Sequence, residues 1–188
     1  MEATETKTIG NYKIEIFPDA NPIDPRGDDN LGTMVCFHNR YNLGDKHDYN
    51  SDHYHGWNDM KNSIIKNENV GVILPLFLYD HSGITMNTTG FSCQWDSGQV
   101  GFIFISKKKM LEEYGGKRVS KKLIERVAGY LKAEVETYDQ YLTGDCYGYC
   151  ITDIEADEEI DSSWGYFGSD NCMEEAESVT KYMVAKVD

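Results

Sequence analysis

Four of the chain's five histidines, His38, His47, His53 and His55, lie in one short stretch, and the fifth, His81, follows Asp80 directly after an apolar run. Imidazole nitrogens and carboxylate oxygens suit Zn, Mn or Fe. Asp48 and Asp52 are close to these histidines in sequence. In an extended segment His53 and His55 would share a face and could chelate one ion. A pocket gathered from His38, His53, His55, Asp80 and His81 is therefore a candidate metal site. No His pair has the helical i, i+4 spacing of a metalloprotease, and no Cys/His array has finger spacing. The plainer reading is a polar loop whose histidines bond backbone or water.

Asp80, His81 and Ser82 invite a hydrolase reading, but triad members act side chain to side chain, and consecutive side chains point apart. No G-x-S-x-G elbow occurs. Cys93 could be a nucleophile with His81 as its base, although a buried, inert thiol is the commoner case. Residues 95–98, WDSG, read as a turn with Trp95 packed beneath it.

Charge is segregated along the chain. Residues 106–132 hold nine Lys/Arg against three Glu, whereas 133–188 hold fifteen Asp/Glu against two Lys. The whole chain is at −14. It repels nucleic acid and acidic membranes and is attracted to basic surfaces. Two charged surfaces are candidates. Lys107, Lys108, Lys109, Lys121 and Lys122 could touch phosphate, although little aromatic character is interleaved with them and no nucleic-acid-binding signature is present. Asp153, Glu155, Asp157, Glu158, Glu159 and Asp161 could mimic a phosphate backbone, with Trp164 and Tyr166 among the aromatic anchors. A Ca²⁺ site in 153–159 lacks the glycine and spacing of an EF-hand loop. An ordinary solvated face is the alternative for each surface.

The elements that must position these groups follow from periodicity. Apolar residues make up 40% of the chain, enough to exclude global disorder despite the charge. Residues 12–17 alternate as a strand; 32–38, 70–79, 84–86, 100–105 and 146–154 read as further strands. Pro75 cannot donate to a ladder and predicts a bulge or an edge. Residues 39–58 read as a long loop. Helices are expected at 59–66, from 107 to the Gly115-Gly116 stop, from 121 to Gly144, and from about 170. Leu123, Val127, Leu131, Val135, Tyr138 and Leu142 form one buried stripe on the third of these. Residues 155–161 read as an acidic turn and 164–167 as a short returning strand. The expected fold is α+β, mostly antiparallel sheet with three to four helices, in one domain over 1–188, with 145–188 as a docking part. No membrane-spanning run and no signal peptide are seen, and five cysteines without a CxxC pair fit a reduced intracellular protein.

The segments DNLGTMVCFHNRYNLGDKHDY (29–49), LPLFLYDHSGITM (74–86), CQWDSGQVGFIF (93–104) and TYDQYLTGDCYGY (137–149) carry a resemblance over roughly residues 10–185. The chain resembles a family of small proteins found on phages and mobile elements, one branch of which comprises anti-CRISPR inhibitors of type II-A Cas9. The resemblance implies a binding protein in the bacterial cytoplasm, an acidic DNA mimic whose partner is Cas9 or a similar host nuclease, with its guide RNA or DNA within reach. It implies no cofactor, no membrane partner and no catalytic residue. The alternatives are a metal-dependent enzyme using the His/Asp pocket, and a structural protein of a phage particle.

Overall fold

The computed structural model describes residues 2–27, 29–93 and 95–187. It is an α+β fold: among the described residues there are eight strands in two antiparallel four-stranded sheets, and four α-helices. Contacts divide the chain into two compact units, residues 1–24 with 140–188, and residues 25–139.

The first unit is built on the sheet β1-β2-β7-β8, from β1 (Glu5–Ile9), β2 (Tyr12–Pro18), β7 (Cys146–Asp153) and β8 (Glu158–Phe167). Helix α4 (Ser169–Val187) covers one face. Alternation selects that face: Ile14 and Ile16 of β2 and Tyr149 and Ile151 of β7 meet Cys172 and Ala176 of α4 in a closed core. Two features of this unit depart from the sequence reading. The polar N-terminus contributes a paired strand, β1, because its backbone finds a partner in β2 even though four of its five residues are exposed. The acidic turn is shorter than 155–161, because Glu158 to Asp161 already pair in β8.

The second unit centres on the sheet β3-β6-β4-β5, from β3 (Thr33–Cys36), β4 (Val70–Asp80), β5 (Ile84–Asn87) and β6 (Ser97–Ser106). Val100 to Ile105 of β6 are all buried, so both faces of this strand are covered. Met60 and Ile64 of α1 (Trp57–Asn67) pack with Val35, Phe102 and Phe104. Leu131 of α3 (Lys121–Thr143) lies with Ile103 against Gly32. The expected α3 stripe buries Val127, Leu131, Val135 and Tyr138. Between them, α2 (Lys107–Tyr114) is capped by the Ser106 hydroxyl, which accepts from the Lys109 amide at 3.1 Å. β3 crosses so close to β6 that a Cβ on Gly101 would overlap the Val35 carbonyl. At Pro75, β4 is an edge: β5 pairs only from Phe77 to Asp80, and the register against β6 shifts at Leu76/Phe77.

A polar clasp closes this unit. The side chain of Arg26 is 3% exposed and binds Asp45 with both Nε and Nη2 at 2.8 Å, and Glu134 through Nη1 at 3.0 Å. The two carboxylates also accept backbone N–H groups, Met34 on Asp45 at 2.8 Å and Leu31 on Glu134 at 2.7 Å. All five cysteines are free thiols. Among the described residues no helix is long and apolar enough to cross a membrane.

Candidate docking surface and histidine cleft

The acidic segment is an antiparallel hairpin of β7 and β8 closed by a turn at 154–157. Asp153 builds that turn: its Oδ1 accepts the amides of Glu155 at 2.9 Å and Ala156 at 3.1 Å, and the Asn11 side chain at 2.8 Å. Asp157 completes the turn with a positive φ of 53°, a conformation aspartate tolerates better than most residues.

Strand β8 lies at the edge of its sheet and carries two register shifts, leaving Ile160 and Gly165 without a partner on β7. Each is a β-bulge, one extra residue that changes the phase of the strand. Residues two apart normally share a face. Here Glu159 pairs with Thr152 and Asp161 with Ile151, and likewise Trp164 pairs with Gly148 and Tyr166 with Tyr147. Directly paired residues share a face, so each bulge sends its two flanking side chains to opposite sides of the sheet.

The consequences divide the predicted site residues. Asp161 turns toward the α4 face, where the Tyr149 hydroxyl donates to its Oδ2 at 2.9 Å. Burial, and then that carboxylate, push the Tyr149 phenol up. Tyr166 goes to the same side, packs on the core and lies 5.7 Å from the Tyr149 ring. Trp164 and Glu159 turn to the other face. The Trp164 ring is 48% exposed, occupies the space above Gly148 and lies 6.5 Å from Phe17. Cys150 shares this face, and its thiol is pushed up by burial and then by Glu159 and Glu15, the opposite of what a nucleophile needs.

What remains accessible lies along the turn and β8. Glu155, Asp157, Glu158 and Glu159 are exposed, and among the described residues none of the four takes part in an ion pair. Ile154, Ile160 and Trp164 of the same hairpin are also exposed. Sequence reasoning missed the two isoleucines, Phe17 and Gly148. The Gly between Tyr147 and Tyr149 was the available sign that something sits close over the strand.

The basic candidates lie elsewhere, at the starts of α2 and α3. Lys107, Lys108, Lys121 and Lys122 are exposed, and Lys109 donates to the Asn30 carbonyl at 2.7 Å.

The histidine candidates divide between places. His38 and Asp80 line a cleft of about 410 Å³ together with Trp95 and Asp96, whereas His81 is not part of its lining. Trp95 is almost wholly exposed and does not pack beneath the turn. His38 Nδ1 accepts the amides of Arg40 at 3.2 Å and Tyr41 at 3.3 Å, so its proton sits on Nε2, 3.7 Å from Asp80. Asp80 is held by Arg40, and His81 Nδ1 lies 3.4 Å from Asp96. The Cys93 thiol also points at Asp96, at 3.6 Å. His53 ends a short 3₁₀ turn and lines a different cleft of about 440 Å³ with His47, Tyr49 and Glu68. His55 is exposed, and its amide donates to Asp59 at 3.0 Å. Among the described residues no three His, Cys, Asp or Glu side chains are arranged to hold a metal ion.

Comparison with protein-family models, with curated proteins and with solved structures finds no match to this chain. The sites must be read from their own chemistry.

Proposed function

We propose that the chain is a phage-borne inhibitor of a host defence nuclease, an anti-CRISPR protein that docks on the basic nucleic-acid-binding surface of Cas9. The observation that carries this reading is the β7–β8 hairpin. Its turn and its edge strand expose four carboxylates, Glu155, Asp157, Glu158 and Glu159, and three apolar side chains, Ile154, Ile160 and Trp164, with Glu159 and Trp164 on the same face. Unpaired carboxylates steer the hairpin to a basic partner and discriminate against acidic ones, while the apolar side chains supply the desolvated anchors. Edge-strand acids and bulges also deter strand-to-strand aggregation, but that role does not require three exposed apolar residues on the same hairpin. The choice of Cas9 among basic partners rests on the sequence resemblance alone. The inhibitor works in the bacterial cytoplasm, by occupying a groove, without turnover.

The metal-dependent enzyme has less support. His38 directs an N–H, not a lone pair, at Asp80, and His53 and His55 lie outside the His38–Asp80 cleft.

The test is a pull-down with guide-free and guide-loaded Cas9 at two salt concentrations, comparing the native chain with one carrying Glu155→Gln, Asp157→Asn, Glu158→Gln and Glu159→Gln. The expected result is binding that weakens with salt and is lost in the neutralised chain. Equal capture of both chains sinks the reading, as does failure of the native chain to bind either form.

A further inference from the structure

A second surface, on the other compact unit, is left over by this function. We infer that α2, the loop 115–120 and the first half of α3 bind single-stranded nucleic acid. Three observations converge on this.

The first is unneutralised charge. Residues 106–132 carry nine Lys/Arg. Lys107, Lys117, Arg118, Lys122 and Arg126 are exposed, and among the described residues the ion pairs of this stretch are confined to Lys108–Glu112 at 3.7 Å and Lys121–Glu125 at 4.0 Å. The chain's net charge of −14 does not cancel the patch, because salt screens distant charges beyond about 8 Å at physiological ionic strength.

The second is that this charge works against its own helices. Both α2 and α3 begin with lysines and have no acid in the first turn, where a helix favours negative charge. Lys122 and Arg126 are like charges one turn apart, a further local cost. The serine caps at Ser106 and Ser120 satisfy helix-start amides but leave this charge unneutralised, a local cost that natural proteins accept at functional surfaces.

The third is an aromatic platform that only the fold assembles. Tyr114, at the end of α2, and Tyr130, in the third turn of α3, lie parallel within 8°, with ring centroids 6.0 Å apart. The Arg126 guanidinium sits 4.9 Å from the first ring centre and 5.4 Å from the second. A groove of about 400 Å³ opens beside both tyrosines; Leu31 and Thr137 line it, as do Asp29 and the Arg26–Glu134 ion pair, so the phosphates must run along the lysines outside it and only a base reaches the rings. The half-exposed Tyr130 ring and the guanidinium plane that lies over the rings offer stacking to a base, and the lysines offer contacts to the phosphates that follow it. A duplex keeps its base faces stacked inside, so the platform fits a single strand.

The inference is independent of the acidic hairpin. Fluorescence anisotropy of labelled single-stranded RNA, single-stranded DNA and duplex DNA, each about 15 nucleotides long, tests it on the full chain. Single strands should bind at least about tenfold more tightly than duplex at low salt, and weaken steeply between about 50 and 200 mM salt. Lys117→Glu/Arg118→Glu/Lys122→Glu should abolish binding while leaving the melting temperature unchanged or higher, since the new acids suit the helix start. Tyr130→Ala should weaken binding about tenfold and keep the salt dependence. Preference for RNA over DNA identifies the 2′-hydroxyl as part of the contact; equal affinity identifies phosphate and base alone. No binding of either single strand at low salt, duplex bound as tightly, or unchanged affinity in the charge-reversed chain overturns the inference. Neutralising Glu155, Asp157, Glu158 and Glu159 should leave this binding intact, which separates its failure from that of the docking hairpin.

Discussion

The Trp164 ring occupies the space that a side chain on Gly148 would need, so the widest exposed ring of the docking face rests directly on the one position of β7 that lacks a Cβ. The bulge at Gly165 makes this contact by turning Trp164 away from the face that Tyr166 shares with α4.

Gly148→Ala should therefore displace Trp164, at a cost of about 1–3 kcal/mol for overpacking. Urea denaturation measures the cost. Removing the ring as well, in Gly148→Ala/Trp164→Ala, should recover much of it, because the two changes act on one contact. Strict additivity of the two substitutions would refute the packing relationship.

Tyr149→Phe removes the phenol that holds Asp161 on the α4 face. A bond to a charged acceptor is worth about 1.5–3 kcal/mol, and a partly buried site places the loss near the lower end. The same variant should bind the partner as the native chain does, because Asp161 is not among the accessible acids. Loss of partner binding without loss of stability would reverse these two roles.

Arg26→Met leaves Asp45 and Glu134 facing each other without their shared cation. Breaking such a pair from one side costs about 3–5 kcal/mol. Thermal unfolding should show a large drop. A Met variant as stable as the native chain would mean that the backbone amides on Asp45 and Glu134 suffice to hold the clasp.

Acid should loosen β1 from α4. Hydrogen bonds from Lys7 and then Lys181 hold the Glu177 carboxyl at about 2, below its ordinary 4.5. A carboxyl depressed in the folded state adds stability above the unfolded value, and this contribution is lost as pH falls through the folded one. The expected window is pH 4.5 down to about 2. Glu177→Gln should be less stable than the native chain at neutral pH, with the difference vanishing at the bottom of that window. A constant difference across it would show that Glu177 acts through packing alone.

Much of the architecture was legible because it depends on local period. The α3 stripe, the Ser106 cap, the alternation of β2 and the Gly144 stop are readable within one or two turns of chain, and each stands in the fold. β1 was not legible, since a strand whose side chains are mostly exposed has no apolar alternation to reveal it. The sequence by itself determined the segregation of charge and the residues able to form a core. Only the tertiary structure decided which charged and aromatic side chains meet. One bulge separates Trp164 from Tyr166 and another separates Glu159 from Asp161, although each pair has the spacing of residues on one face. The packing of α2 beside α3 brings Tyr114 to Tyr130 and Arg126 across a loop, where the linear pattern shows lysines with little aromatic character. His38 and His53 part company because β3 holds one near the end of β4 while the loop carries the other away. The physical reason is common to all three. Periodicity sets the direction of a side chain relative to its neighbours in sequence, whereas a bulge or a packed helix resets that direction through contacts with residues far away in the chain.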